Sequence, residues 1–175
     1  MGLIKNFIGF QIGWFACVVG AAQGYPLVAV AVASVIVILH LLRDNNLYSE
    51  LCLIISAVII GIIWESLLLA SDWLIYASSE GASLFAPIWL VAMWTLFATT
   101  INHSMAWLKD RYFLALILGA IFGPLAFIAG ENLGAVVFVD RPMALAALAL
   151  GWSALMPLLL WLAERFKQRN NIMEL

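Results

Sequence analysis

Residues 27–39 read LVAVAVASVIVIL, a run with apolar side chains on every face. A helix that is hydrophobic all round belongs either in the core of a large protein or in a membrane. A strand of a transmembrane barrel would alternate apolar and polar residues, and this run does not. The run therefore predicts a membrane-embedded helix.

The composition extends this conclusion to the whole chain of 175 residues. Hydrophobic residues make up 66% of it and charged residues 10%, whereas a soluble domain is about 45–50% apolar and about 25% charged. A soluble chain of this size could not bury so much apolar surface. We therefore expect a single integral membrane domain over residues 1–175. The net charge of −2 says little about partners, but the lack of a long basic patch argues against nucleic acid.

Polar and glycine- or proline-containing breaks divide the chain into six apolar segments. A spanning helix needs about 20 mostly apolar residues, so an all-α bundle of six transmembrane helices is predicted. Residues 78–81 are predicted to be a polar loop, while residues 130–134 are compatible with a helix end, a loop or a re-entrant turn. The predicted helices cover residues of about 6–22, 27–42, 49–70, 84–108, 112–129 and 143–163.

The positive charges predict the orientation of this bundle. Cytoplasmic segments of membrane proteins carry an excess of lysine and arginine. If the N-terminus lies inside, seven of the eight basic residues fall on the inner side and only Arg141 on the outer side. Both termini are therefore predicted to be cytoplasmic. The seven are Lys5, Arg43, Lys109, Arg111, Arg165, Lys167 and Arg169.

Glu65 is the strongest anomaly within the predicted helices. Counted from Leu51, it lies roughly 20 Å into a hydrocarbon core of about 30 Å. A charged residue inside the core costs about 2.5–3.5 kcal/mol on insertion scales, so it should face the bundle interior. Either it belongs to a polar site that opens outward, or it is a neutral carboxyl bonded to a neighbouring helix. By depth, the candidate site comprises Glu65, Asp72, Glu131 and Asn132, although the last two also suit a hydrophilic loop.

A second candidate site lies along the fourth predicted helix, at Thr95, Thr99, Asn102 and His103. Spacings of four place the two threonines and His103 on one helix face. Histidine can relay protons or bind metal, and the alternative is an interhelical hydrogen bond. His40 lies at a helix end and is interpreted as interfacial. No catalytic or metal-binding motif is present, so neither a metal ion nor a cofactor is predicted.

Small and aromatic residues suggest how the helices pack. Glycines four residues apart let helices approach closely. Tryptophans deep inside a segment do not belong to the aromatic belts of the membrane boundary, so they either pack between helices or line a cavity that faces lipid or ligand. The glycines are Gly9, Gly13, Gly119 and Gly123, and the tryptophans are Trp14, Trp64, Trp94 and Trp152.

Short patches along the chain carry a family resemblance. They are Asn6 with FQIGWF at 10–15, PIWL at 87–90 with MW at 93–94, FA at 97–98, HS at 103–104, WL at 107–108, and GPLA at 123–126 with GA at 134–135. Together they resemble a family of small bacterial inner-membrane proteins that is known only as a domain of unknown function. The genes of that family often lie near genes for modifying membrane fatty acids. The resemblance thus implies the bacterial inner membrane and a lipid-related role, and it supplies no active site.

Three functions remain compatible with the sequence. The first in order of preference is a protein that binds lipid, or assists in lipid modification, through the buried tryptophans. The second is a small carrier or channel that uses Glu65. The third is a membrane-embedded enzyme that uses His103 or the carboxylates, although the chain favours a non-enzyme. The lipid-binding function would be favoured by a lateral opening lined by tryptophan. The carrier or channel would be favoured by a water-accessible polar cavity, and the enzyme by convergence of His103 with a carboxylate.

Overall fold

The computed structural model describes residues 2–77 and 85–173. Within these residues the predicted all-α class and the number of six helices are confirmed. The predicted loop at 78–81 lies outside the described residues. A 3-10 turn (Ala106–Leu108) and two short strands, β1 (Leu74–Tyr76) and β2 (Val136–Phe138), connect the helices. The helices are α1 (Leu3–Ala22), α2 (Pro26–Leu41), α3 (Leu47–Ala70), α4 (Ile88–Ile101), α5 (Tyr112–Asn132) and α6 (Arg141–Met173).

Four of these helices are long and apolar enough to cross a membrane, namely α1, α3, α5 and α6. Helices α2 and α4 are also apolar but have only 16 and 14 residues, which correspond to roughly 24 Å and 21 Å of rise. Large apolar side chains such as Leu27 and Phe113 lie exposed on the outside of the bundle. This surface suits lipid rather than water, so the chain is a membrane protein.

Helix α4 is the central helix, since it packs against α1, α2 and α3 and most of its residues are buried. The sequence predicted this helix over residues 84–108, and its end at Ile101 corrects that boundary. Asn6 of α1 explains the early end: its Nδ2 donates to the Thr99 carbonyl (3.0 Å), and its Oδ1 accepts from the Ser104 backbone N–H (3.3 Å). The chain can leave the helix because these backbone groups find side-chain partners. At the other end, Pro87 disfavours helical geometry in the residue before it.

A two-stranded antiparallel sheet closes one end of the bundle. Strand β1 follows α3 and strand β2 follows α5, with Tyr76 paired to Val136. Helix α3 ends at Ala70, and a turn at Asp72, whose φ is 58°, leads into β1. The sequence left three alternatives for residues 130–134. The segment contains the end of α5 and a turn at Gly134, whose φ of 85° favours glycine.

Every helix runs between two ends of the bundle. At the sheet end lie β1 and β2, and Trp89 Nε1 donates to the Ala77 carbonyl there (3.0 Å). At the opposite end, the start of α1 meets the segment after α4 through Asn6, and the end of α6 meets the α2–α3 connection through Asn170 and Asn46 (3.4 Å). We call this opposite end the basic end, because seven of the eight lysines and arginines lie on the segments that meet there.

Candidate functional site

A large cavity of about 780 Å³ lies between α1 and α5, with α4 and α6 as its floor. Its walls are mostly hydrocarbon. Rim residues Phe7, Phe15 and Phe122 are each at least half exposed on the outside of the bundle, so the cavity opens sideways on the apolar outer surface. We call it the lateral cleft. Prominent lining residues are Phe10, Trp14, Met93, Trp94, Phe97 and Trp152.

Aromatic rings build the floor of the lateral cleft. The Trp94 ring stacks on Trp152 with centroids 5.2 Å apart, and Phe97 meets Trp152 edge-on at 5.3 Å. Offset stacking and edge-on contacts are the favourable geometries for such rings, and they fix the rings in place. Both sequence interpretations of the deep tryptophans therefore apply. Trp14, Trp94 and Trp152 line the cleft, whereas Trp64 packs against α6, where a Cβ on Gly151 would lie 2.1 Å from its ring.

Glu65 reaches the wall of the lateral cleft from α3 and is almost completely buried. Tyr76 Oη donates to its Oε2 (2.5 Å), and Trp94 Nε1 donates to its Oε1 (3.0 Å). Gly61, one turn earlier on α3, leaves room for the Trp94 ring, because a Cβ there would lie 2.3 Å from it. The carboxyl thus joins α3, α4 and β1 and satisfies two buried donors.

The other members of the first candidate site have separate surroundings. Glu131 Oε2 accepts from Arg141 Nη1 at 2.7 Å in a pair near the surface. Asp72 lies exposed in the turn before β1, and Asn132 is the exposed last residue of α5. Depth alone suggested that these residues could meet Glu65. These residues have different partners and different exposure, so the structure does not bring the four together in one site.

The second candidate site divides where α4 ends. The Thr95 hydroxyl donates to the Val91 carbonyl (2.9 Å) and the Thr99 hydroxyl to the Leu96 carbonyl (2.7 Å), both within α4 itself. The spacing of four no longer describes the positions after Ile101, because the helix has ended. Asn102 and His103 turn instead toward the α2–α3 connection.

His103 joins three residues at the basic end, which we call the polar cluster: His40, Asp44, Glu50 and His103. Its Nε2 lies 2.8 Å from Asp44 Oδ2 and 3.9 Å from Glu50 Oε1, and His40 Nε2 lies 3.2 Å from Glu50 Oε2. One ligand-type atom from each of the four residues lies within 4.8 Å of all the others. The end of α2, the α2–α3 connection, the first turn of α3 and the segment after α4 each supply one residue.

Further contacts orient the polar cluster from outside. The Asn46 backbone N–H donates to Asp44 Oδ1 (2.7 Å), and Asn102 Nδ2 donates to Glu50 Oε1 (2.6 Å). Lys109 Nζ in turn donates to Asn102 Oδ1 (2.6 Å). Burial lowers the pKa of the Lys109 ammonium from its usual value, and the nearby charge of Lys167 lowers it further.

Sequence reasoning singled out His103 and Asn102 but missed Asp44 and Glu50 and gave His40 no partner. A signal was present, however. All four residues lie near the ends of predicted helices, on the same predicted side of the membrane: His40, Asp44, Glu50 and His103. Considering the residues of each side together, rather than helix by helix, could have found the group.

The fold and these sites define a polytopic membrane protein with a lateral apolar cleft and a separate buried polar cluster. The chain belongs to the family described as "Protein of unknown function (DUF2878)", whose model matches residues 3–158. This match confirms the family resemblance and spans α1 to the middle of α6, including the cleft and the polar cluster. No curated protein and no solved structure matches the chain.

Proposed function

We propose that this protein binds a membrane lipid, with an acyl chain of the lipid in the lateral cleft. The observation that carries the proposal is the shape and lining of the cleft: it opens sideways, its walls are mostly hydrocarbon, and aromatic rings form its floor. Its volume of about 780 Å³ falls within the range of about 300–1,000 Å³ that is typical of small-molecule pockets.

Packing rather than the hydrophobic effect would hold the acyl chain in the cleft. An acyl chain that enters from the bilayer leaves one hydrocarbon environment for another, so little is gained from leaving water. Close contact with fixed rings such as Trp94 and Trp152 instead adds many small dispersion terms. At the basic end, Leu3, Ser104 and Trp107 line the cleft. A lipid whose headgroup lay at this end would bring it near the lysines and arginines there.

The carrier or channel alternative has less support. A solute pathway would need a polar, water-accessible cavity, whereas the cleft beside Glu65 is lined mainly by hydrocarbon. Both oxygens of Glu65 also accept hydrogen bonds from buried donors, Tyr76 and Trp94.

A membrane-embedded enzyme is the second candidate, because His103 converges with Asp44 and Glu50 in the polar cluster. Histidine beside carboxylates is a common arrangement for general acid–base chemistry. Incubation of the purified protein with phospholipid vesicles would test this candidate, since turnover would change lipid masses in the wild type and not in Glu50→Gln.

For the topology, we propose six crossings with both termini in the cytoplasm, in the bacterial inner membrane. Six helices that alternate between the basic end and the sheet end support this arrangement, as does the clustering of basic residues. Helix α6 has 33 residues, about 50 Å of rise, so its C-terminal part extends beyond a core of about 30 Å. That part carries Arg165, Lys167 and Arg169.

Filling the cleft should displace the lipid. Met93 lines the cleft from α4, so Met93→Trp adds bulk among fixed rings. Ile55→Trp is the matched control, because Ile55 lies exposed on α3 outside the cleft. Native mass spectrometry of the detergent-purified wild type should detect one retained phospholipid per chain. We expect occupancy about tenfold lower in Met93→Trp, equivalent to ~1.4 kcal/mol, and unchanged in Ile55→Trp. Equal occupancy in all three proteins would contradict the proposal.

A further inference from the structure

We propose that the polar cluster of His40, Asp44, Glu50 and His103 is a binding site for one divalent first-row transition metal ion. The cluster lies on the α2 and α3 side of the end of α4, whereas the lateral cleft lies on the α1 and α5 side. The site is therefore separate from the proposed lipid site.

The geometry within the cluster suits a small ion. Zinc binds histidine nitrogen and carboxylate oxygen at about 2.0–2.2 Å, so tetrahedral ligand atoms lie roughly 3.3–3.6 Å from one another. Among the proposed ligand atoms, His103 Nε2 lies 2.8 Å from Asp44 Oδ2 and His40 Nε2 lies 3.2 Å from Glu50 Oε2. Side-chain adjustments of well under 1 Å would bring these two pairs to coordination distances, and one ligand-type atom of each residue already lies within 4.8 Å of the others.

The carboxylates of the cluster are buried, and a cation between them would compensate their negative charge. Asp44 and Glu50 are 9% and 3% exposed at their side chains, and two carboxylates this close repel each other when both are ionised. A divalent ion between them would neutralise both while the histidines stay neutral, the form in which they bind metal. The nearby Lys109 ammonium is directed to Asn102 rather than to either carboxylate of the cluster.

Contacts from outside hold one oxygen of each carboxylate and leave the other for the ion. Asp44 Oδ1 is held by the Asn46 N–H and Glu50 Oε1 by Asn102, so Asp44 Oδ2 and Glu50 Oε2 point into the cluster with the two histidine Nε2 atoms. Partners of this kind orient the ligands of a metal site.

The His40 ring contributes to the cluster through one of its two nitrogens. It is 1% exposed, and its Nδ1 has no hydrogen-bond partner in the part of the chain that the structure describes. Its Nε2 faces the cluster, with Glu50 as its hydrogen-bond neighbour there. An ion bound at Nε2 would leave the N–H of Nδ1 without the outside partner that a metal-bound histidine usually has, so His40 is the least supported of the four ligands.

The ligand set indicates the class of ion. Imidazole suits zinc, iron, copper and nickel, while carboxylate suits harder ions such as manganese. A mixed set of two of each fits zinc, ferrous iron or manganese, and the absence of a thiolate from the set argues against cuprous copper. His103, at 14% exposed, and Asp44 lie at the open side of the cluster, which gives the ion a way in from the basic end.

Zinc binding to the full-length protein tests this inference. The purified wild type, stripped with a chelator and titrated with Zn²⁺ in a calorimeter, should bind one ion per chain and gain thermal stability. His103→Gln and Glu50→Gln should weaken binding by on the order of 100-fold, and Asn102→Ala by about tenfold. Glu131→Gln, which alters a carboxylate in an unrelated surface pair, should bind as the wild type does.

Each outcome decides the proposal. Failure of the folded wild type to bind Zn²⁺, Fe²⁺ or Mn²⁺ in stoichiometric amount would overturn it and leave the cluster as histidine–carboxylate ion pairs. Equal binding by Glu131→Gln and Glu50→Gln would overturn it too. If Glu50→Gln does not fold, the wild-type titration and Asn102→Ala still decide. Met93→Trp should bind zinc normally, so failure of the lipid proposal leaves this test intact.

Discussion

Gly119→Ala is expected to destabilise the protein strongly, although it adds only one methyl group. A Cβ on Gly119 of α5 would lie 2.2 Å from the Trp152 carbonyl oxygen of α6. A side chain could rotate away from such a contact, but backbone cannot, so α5 and α6 would have to separate. Overpacking of this kind typically costs about 1–3 kcal/mol, occasionally more, and we expect the upper part of that range. Gly119→Leu should have a larger effect still.

Gly9→Ala is the matched control, because Gly9 also lies within a transmembrane helix. A Cβ there would make an ordinary contact, 3.6 Å from Ile36 Cγ2. Alanine is favoured over glycine in helices by roughly 0.5–1 kcal/mol, so this variant should be as stable as the wild type or slightly more stable. Thermal and denaturant unfolding in detergent would measure both variants. Equal stability of Gly119→Ala and Gly9→Ala would mean that α5 and α6 do not pack as described.

Glu65→Ala is expected to cost stability because two buried hydrogen bonds disappear. Trp94 Nε1 would lose its acceptor, and Tyr76 would lose its bond to the carboxyl. Loss of a buried partner costs about 1–3 kcal/mol for each donor, and the cavity left by the side chain adds to this. We therefore expect unfolding in detergent to begin at a clearly lower temperature than in the wild type.

Glu65→Gln separates the structural role of this residue from a functional one. The amide oxygen can accept from Trp94, and the amide nitrogen can donate to the Tyr76 oxygen, so stability should stay within about 1 kcal/mol of the wild type. Retained lipid, measured as for Met93→Trp, should also be unchanged. If both Glu65 variants are stable yet lose the lipid, the carboxyl acts in binding rather than in folding. If both variants are stable and keep the lipid, the two hydrogen bonds of Glu65 contribute little to the stability of the fold.

The membrane class and the six helices could be predicted from the sequence because both depend on local apolar content. Residues 27–39 and the breaks between segments needed no knowledge of tertiary contacts. The inward position of Glu65 could be predicted too, since burial in lipid is costly for any carboxyl. Its donors, Tyr76 and Trp94, lie 11 and 29 residues away, and nothing local specified them.

The end of α4 and the small sheet could not be predicted for the same reason. Residues 84–108 look continuously helical apart from a few polar positions, and the end at Ile101 depends on Asn6, more than 90 residues earlier in the chain. Strands β1 and β2 have three residues each, too few to show an alternating pattern. The polar cluster likewise joins distant residues, such as Asp44 and His103, which are 59 positions apart.

Paired topology reporters test the central claim most directly, because the lateral cleft faces lipid only if the helices cross the bilayer in the proposed way. In a bacterial host, a reporter fused after Leu175 should be active on the cytoplasmic side. A reporter inserted near Glu80, in the connection between α3 and α4, should be active on the opposite side, as expected for three crossings from a cytoplasmic N-terminus and for the charge asymmetry. Activity of both reporters on the same side of the membrane would contradict the six-helix topology.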